Sequence, residues 1–178
     1  MRKLKVDLAG LEDALDNQFP EHRYFLNLET GAVVLVADET SRELEELYAE
    51  LGEAVQDSER VRAAIEQRNL PDWQREDLRV ADQVEAGYRT RYIRVEPLDP
   101  HADYRDMEEF IPTVRDARLQ ERLWRAIGGR GAFRYFKDVL DDYPRERQRW
   151  FEFKDAQARQ RALDWLAEKG IEPIVEKE

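Results

Sequence analysis

Apolar positions along this chain fall mostly at helical spacing, with two short interruptions that alternate like strands. Leu8, Leu11 and Leu15 recur three and four residues apart behind Asp7, which predicts a short helix over Val6 to Leu15 capped by that aspartate. Tyr24 to Leu28 and Ala32 to Val36 flank Glu29-Thr30-Gly31 and predict a β-hairpin, the glycine supplying a left-handed turn position. Leu44, Leu47, Tyr48 and Leu51 mark a second helix, for which Thr40 or Ser41 is the expected cap. Ser58 to Arg68 and Trp73 to Glu85 read as helices separated by Asn69-Leu70-Pro71-Asp72, and Tyr88 to Val95 alternates like a strand.

Pro97, Pro100 and His101 punctuate the chain and mark a subdivision near 97–101, within what otherwise reads as one domain over 1–178. Beyond it, Tyr104 to Ile111, Ala117 to Ile127, Ala132 to Asp142 and Ala156 to Lys169 carry helical spacing. Asp155 is the expected cap of the last helix and Gly170 its terminator. Ile171 to Val175 is a candidate edge strand, where Pro173 is tolerated. The expected class is α+β: mostly helical, with a small antiparallel sheet made of the N-terminal hairpin and the central strand.

Composition narrows the classes of function. With four Trp, seven Tyr and seven Phe the chain folds despite a mean hydropathy of -0.82. The absence of cysteine removes disulfides, thiol catalysis and thiolate metal sites together. No apolar run reaches bilayer-spanning length, and the basic start MRKLKVDLAG lacks the apolar segment of a secretory leader, so the expectation is a cytoplasmic protein with no membrane partner. The net charge of -11 is uneven: residues 1–98 carry 13 basic and 22 acidic side chains, whereas 113–161 carry 13 basic and 8 acidic. An acidic chain repels phosphate overall, yet a local basic face still attracts it.

The inventory leaves little room for catalysis. Serine occurs only at Ser41 and Ser58, both placed to cap helices, and histidine only at His22 and His101, so no catalytic residue is assigned. Asp99, His101 and Asp103 alternate in DPHADY, but the spacing matches no established metal loop, and a turn with Asp103 as a helix cap explains it. No metal or cofactor is expected.

The stretch from Gly128 to Phe153, GGRGAFRYFKDVLDDYPRERQRWFEF, carries the candidate site. It follows a helix whose Leu119, Leu123, Trp124 and Ile127 share one side. Backbone N–H groups around Gly129, Arg130 and Gly131, together with the next helix's N-terminus, form a potential anion cradle; a glycine corner between helices is the alternative. Arg130 to Phe136 mimics an RNA-binding strand motif with one position deleted, but Phe133, Phe136 and Leu140 fall at helical spacing and are assigned inward. That leaves Arg130, Arg134, Lys137, Arg145 and Arg149, bordered by Trp150, as a candidate cationic patch for nucleic acid, a nucleotide or an acidic protein segment. Asp138, Asp141, Asp142 and Glu146 are close enough in sequence to neutralise it.

Three segments carry a family resemblance: YFLNLETGAVVLV, RYIRVEPLDPHADYRDMEEFI, and GRGAFRYFKDVLDDYPRERQRWFEF followed by ALDWLAEKGIEPI. On these the chain resembles uncharacterised protein family 0158 over nearly its whole length. The resemblance implies a small cytoplasmic bacterial protein and brings no catalytic residues. Two binding readings remain: the basic patch for an acidic ligand, or Glu43, Glu45, Glu46, Glu50 and Glu53 docking on a basic protein partner. A small carboxylate- or metal-dependent enzyme acting around Asp99 to Asp106 is the third.

Overall fold

The computed structural model describes residues 1–174, and the chain folds as two units. Unit 1 comprises Met1–Pro97 with Leu166–Glu178; unit 2 is Leu98–Trp165. The class is α+β. Val175, the end of the expected edge strand, lies outside the described residues.

Unit 1 is built on a three-stranded antiparallel sheet. Strands β2 (His22–Asn27) and β3 (Val33–Ala37) form the hairpin, and β4 (Tyr92–Val95) pairs with the other edge of β2, giving the order β3-β2-β4. The turn needs its glycine: Gly31 has φ +76°, and a Cβ there would lie 1.8 Å from the Lys5 carbonyl oxygen. Two further strands, β1 (Arg2–Leu4) and β5 (Ile171–Pro173), pair in parallel, and β1 had no signature in the sequence. Helix α1 (Leu8–Leu15) starts where expected, with Asp7 Oδ1 accepting the Gly10 N–H at 3.0 Å.

Helices α2 (Asp38–Leu51), α3 (Ser58–Gln67) and α4 (Asp72–Ala86) complete the unit. Leu44, Leu47, Val61, Ile65, Leu78, Ala81 and Val84 bury themselves with Phe25, Val36 and Tyr92 of the sheet. Neither serine is the cap expected of it. The chain passes straight from β3 into α2 at Asp38, which leaves Ser41 inside the first turns, where it accepts a hydrogen bond from the Arg23 guanidinium. Asp57 caps α3 through the Glu59 and Arg60 N–H groups, and Ser58 is the first helical residue.

Unit 2 is helical. Its elements are α5 (Ala102–Phe110), α6 (Ala117–Ala126), α7 (Ala132–Asp141) and α8 (Pro144–Glu168), the last three residues of α8 counting with unit 1. The expected break at Asp155 does not occur: α8 runs through it as one helix of 25 residues, opened by Pro144, a residue whose fixed φ suits a first helical turn. Asp116 caps α6 by accepting the Arg118 and Leu119 N–H groups at 2.9 and 3.0 Å. The core gathers Met107, Phe110, Ile111, Leu119, Leu123, Ile127, Phe136, Leu140 and Trp150, and burial of each large side chain there contributes roughly 1.5–3 kcal/mol.

Candidate functional site

The glycine turn between α6 and α7 takes the conformation its sequence demands. Gly131 precedes α7 at φ +76° and ψ 23°, and no side chain caps that helix end. The Tyr135 ring folds back over the glycine, so a Cβ at Gly131 would meet Tyr135 Cε2 at 3.1 Å. Beside it, Gly129 and Arg130 are exposed, with open space around Gly129. Tyr135 N–H closes the first helical turn onto the Gly131 carbonyl at 3.0 Å, leaving earlier N–H groups of α7 without a side-chain acceptor.

Apolar stripes on both flanking helices are narrower than the sequence pattern predicts. On α6 and beyond it the buried positions are Leu119, Leu123 and Ile127, and Trp124 lies outside, 43% exposed. On α7 they are Ala132, Phe136 and Leu140, four apart, which turns Phe133 outward at 44% and Tyr135 at 52%. Phe133, assigned inward from sequence, and Trp124, placed on one side with Leu119, Leu123 and Ile127, are therefore surface rings. Ala132 occupies the buried position at the start of α7, and 100° of helical rotation moves Phe133 off the core.

Trp150 goes the other way. Expected to border the patch, it is 4% exposed and packs edge-to-face in the core, its ring centre 4.8 Å from that of Phe136 and 5.3 Å from that of Phe110. Position 150 lies on the face of α8 that packs inward, so a large ring there removes most apolar area from water.

The local acids are already engaged. Arg134 Nε lies 3.9 Å from Asp138, Arg147 Nε 3.6 Å from Asp141, Arg122 Nη2 3.7 Å from Asp142, and Arg149 Nη1 donates to Glu146 at 2.5 Å. Arg149 is further tied by Nη2, which donates to the Thr113 hydroxyl at 3.0 Å and carbonyl at 3.3 Å, and by its guanidinium 5.5 Å from the Phe110 ring centre. Arg130, Lys137 and Arg145 are different: all three are exposed, and none has an ion-pair or hydrogen-bond partner among the described residues. Of the five candidate cations, two are committed and three are free.

Between α6 and α7 lies a shallow open groove lined by Arg122, Arg125, Ala126, Tyr135, Asp138 and Val139. Arg125 is partnered by Glu121 at 2.7 Å.

The alternating Asp99, His101 and Asp103 do not converge. Asp99 Oδ1 accepts the His101 N–H at 2.9 Å, which with Arg105 holds its carboxyl below the usual carboxylate range. Asp99 thus forms the turn, and Asp103, expected as the cap, already lies in the first turn of α5. Among the described residues no three His, Asp or Glu side chains gather as a ligand set. Nor is any helix there long and apolar enough to cross a membrane.

The fold and this face define a small α+β protein with a helical unit that presents free cations and surface rings around a glycine turn. The family model described as Uncharacterised protein family (UPF0158) matches residues 69–178, and the chain belongs to that family. It is similar to the UPF0158 protein PA5073 of Pseudomonas aeruginosa, 25% identical over 174 residues that cover 97% of this chain and 88% of the relative. No solved structure matches it.

Proposed function

We propose that this is a non-enzymatic binding or regulatory protein of the bacterial cytoplasm, and that the α7 face of unit 2 takes an acidic ligand. The observation carrying the reading is a charge balance made at the level of single side chains. Asp138, Asp141, Asp142 and Glu146 each pair with an arginine, so the charge left over on this face is that of Arg130, Lys137 and Arg145. Phe133 and Tyr135 stand exposed on the same helix, adding apolar area of the kind that stacks on planar groups. Gly129 adds open backbone space at the turn, whereas the Tyr135 ring covers Gly131 and Arg134 is paired with Asp138.

The test is binding of a fluorescent single-stranded oligonucleotide and of polyglutamate at low and high salt. Binding should weaken steeply with salt, and Arg130→Glu with Lys137→Glu should abolish it, while a surface reversal at Arg62 in unit 1 should not. Retained binding in the Arg130/Lys137 variant would sink the reading.

A second reading has its own observation. Unit 1 holds 26 acidic and 15 basic side chains, whereas unit 2 holds 14 of each, so the whole net charge of -11 resides in unit 1. On α2 and just beyond it, Glu43, Glu45, Glu46 and Glu53 have no cationic partner among the described residues, although Glu50 is paired with Arg68 at 3.1 Å. These features support docking of a basic protein segment on α2.

A further inference from the structure

A pocket of about 120 Å³ opens in unit 1 between β2, α2 and α4. Its floor is apolar, made by Phe25, Val36, Leu44, Ala81 and Val84, all buried. Its rim is polar and unevenly charged. Arg23 stands at one end, but its guanidinium already donates to Ser41 Oγ, and its Nε lies 3.5 Å from Asp38. Tyr48 stands at the other end and donates to Asp82 Oδ1 at 2.6 Å. Burial, then Asp82, raises the Tyr48 pKa, so the hydroxyl keeps its proton and presents an uncharged oxygen. The two remaining rim groups are the carboxylates of Glu45 and Glu85, and neither has a cationic partner among the described residues.

We propose that this pocket seats a lysine side chain of a basic protein segment, the aliphatic stem on the apolar floor and the ammonium between Glu45 and Glu85. Size favours lysine over arginine. An apolar cavity of roughly 150 Å³ accepts the six heavy atoms of benzene, so about 120 Å³ suits the five of a lysine side chain better than the seven of an arginine. The geometry of the charge agrees: a compact ammonium satisfies two separate carboxylates, whereas the flat guanidinium fork favours one bidentate partner. A protein segment rather than a free amine is the occupant because unit 1 carries the whole net charge of -11, and Glu43 and Glu46, round the helix from the pocket, with Glu53 just beyond α2, also lack a cationic partner among the described residues. A single small cation leaves those carboxylates unanswered.

This inference rests on the second reading and gives its partner an anchor. The experiment titrates the full chain with a lysine-rich decapeptide, with the same peptide carrying arginine or norleucine for lysine, and with n-butylamine. Amide NMR shifts at Leu44, Glu45, Val84 and Glu85 report the pocket. Lysine peptide should shift these amides and bind at least roughly tenfold more tightly than the arginine or norleucine forms, with butylamine far weaker. Glu45→Gln with Glu85→Gln should weaken lysine peptide at least roughly tenfold, and because both carboxylates are exposed the variant should remain folded.

Equal binding of the arginine peptide, or unchanged binding in the glutamine variant, would overturn the pocket. So would butylamine binding as tightly as the peptide, since that makes the site one for free amines. Failure of the underlying reading is distinguishable: reversal of Glu43, Glu46 and Glu53 would then leave peptide binding intact. If that reversal abolishes binding while the glutamine variant does not, the α2 surface stands and the pocket falls.

Discussion

Arg161 of α8 holds the carboxylate of Asp106 on α5 through Nη2 and Oδ1, and Asp106 is only 1% exposed. The other carboxylate oxygen, Oδ2, is buried and makes no hydrogen bond. A pair of this kind contributes little net attraction against the loss of hydration, but removal of one partner leaves the other charge stranded. Arg161→Leu should therefore destabilise unit 2 by about 3 kcal/mol, measured by urea denaturation followed through tryptophan fluorescence, three of the four tryptophans lying in that unit. Adding Asp106→Leu to the same chain should recover most of that loss. If the double variant is as unstable as the single one, the cost lies in packing and not in the stranded charge.

Gly131 is the position where backbone conformation and side-chain packing meet. Its φ of +76° disfavours any L-residue, and the Tyr135 ring occupies the space a Cβ would enter. Gly131→Ala should cost about 1–2 kcal/mol of stability. Gly129→Ala, next to open space, should cost far less. Thermal denaturation of the two variants gives the comparison, and equal losses would show that the turn tolerates other backbone angles.

Much of this architecture was legible in the sequence because local spacing and local packing agree. The hairpin, the Asp7 cap, the Gly170 terminator and the extent of α7 follow from residues acting on their immediate neighbours. What the sequence concealed depends on partners distant along the chain. Trp124 and Phe133 carry apolar rings at plausible core positions, yet Leu123 and Ala132 beside them fill the available depth. Asp106 did leave a trace: it lies four residues before Phe110 in an otherwise apolar stripe, a place where an acid needs a cation from elsewhere. The pocket bordered by Arg23, Ser41 and Tyr48 left none, because those residues meet only once β2, α2 and α4 are assembled. Of the candidate patch, Arg130, Lys137 and Arg145 stayed free while Arg149 and Trp150 were claimed by the fold.

Tyr48 and Asp82 join α2 to α4 through a hydrogen bond that needs the phenol proton. The folded state raises the Tyr48 pKa above the ordinary value of 10.0, mainly by burial. A neutral group whose folded pKa is raised contributes its stability fully below the unfolded pKa, and that contribution fades as pH rises past it. Wild type should lose stability above about pH 10 more steeply than Tyr48→Phe, which has no proton to lose. Denaturation midpoints of both proteins from neutral pH upward measure the difference. Parallel curves would mean that Tyr48 ionises no differently in the folded and unfolded chain.

Arg145 and Arg149 share a face of α8 one turn apart, and the structure gives them opposite roles. Arg149 is bonded to Glu146 and Thr113 and lies over the Phe110 ring, linking α8 to the segment after α5. Its bonds are partly exposed, so Arg149→Ala should cost about 1 kcal/mol, most of it from the ring contact and the Thr113 bonds. Arg145 touches no partner among the described residues, and Arg145→Ala should change stability by less than about 0.5 kcal/mol. Binding should reverse the order. If the α7 face takes an acidic ligand, Arg145→Ala weakens it at unchanged stability and flattens its salt dependence by about one released ion. Arg149→Ala in a chain kept fully folded by low temperature should bind nearly as wild type. A loss of affinity confined to Arg149→Ala would show that the pairing with Glu146 opens to meet the ligand, and that the free cations are not the ones used.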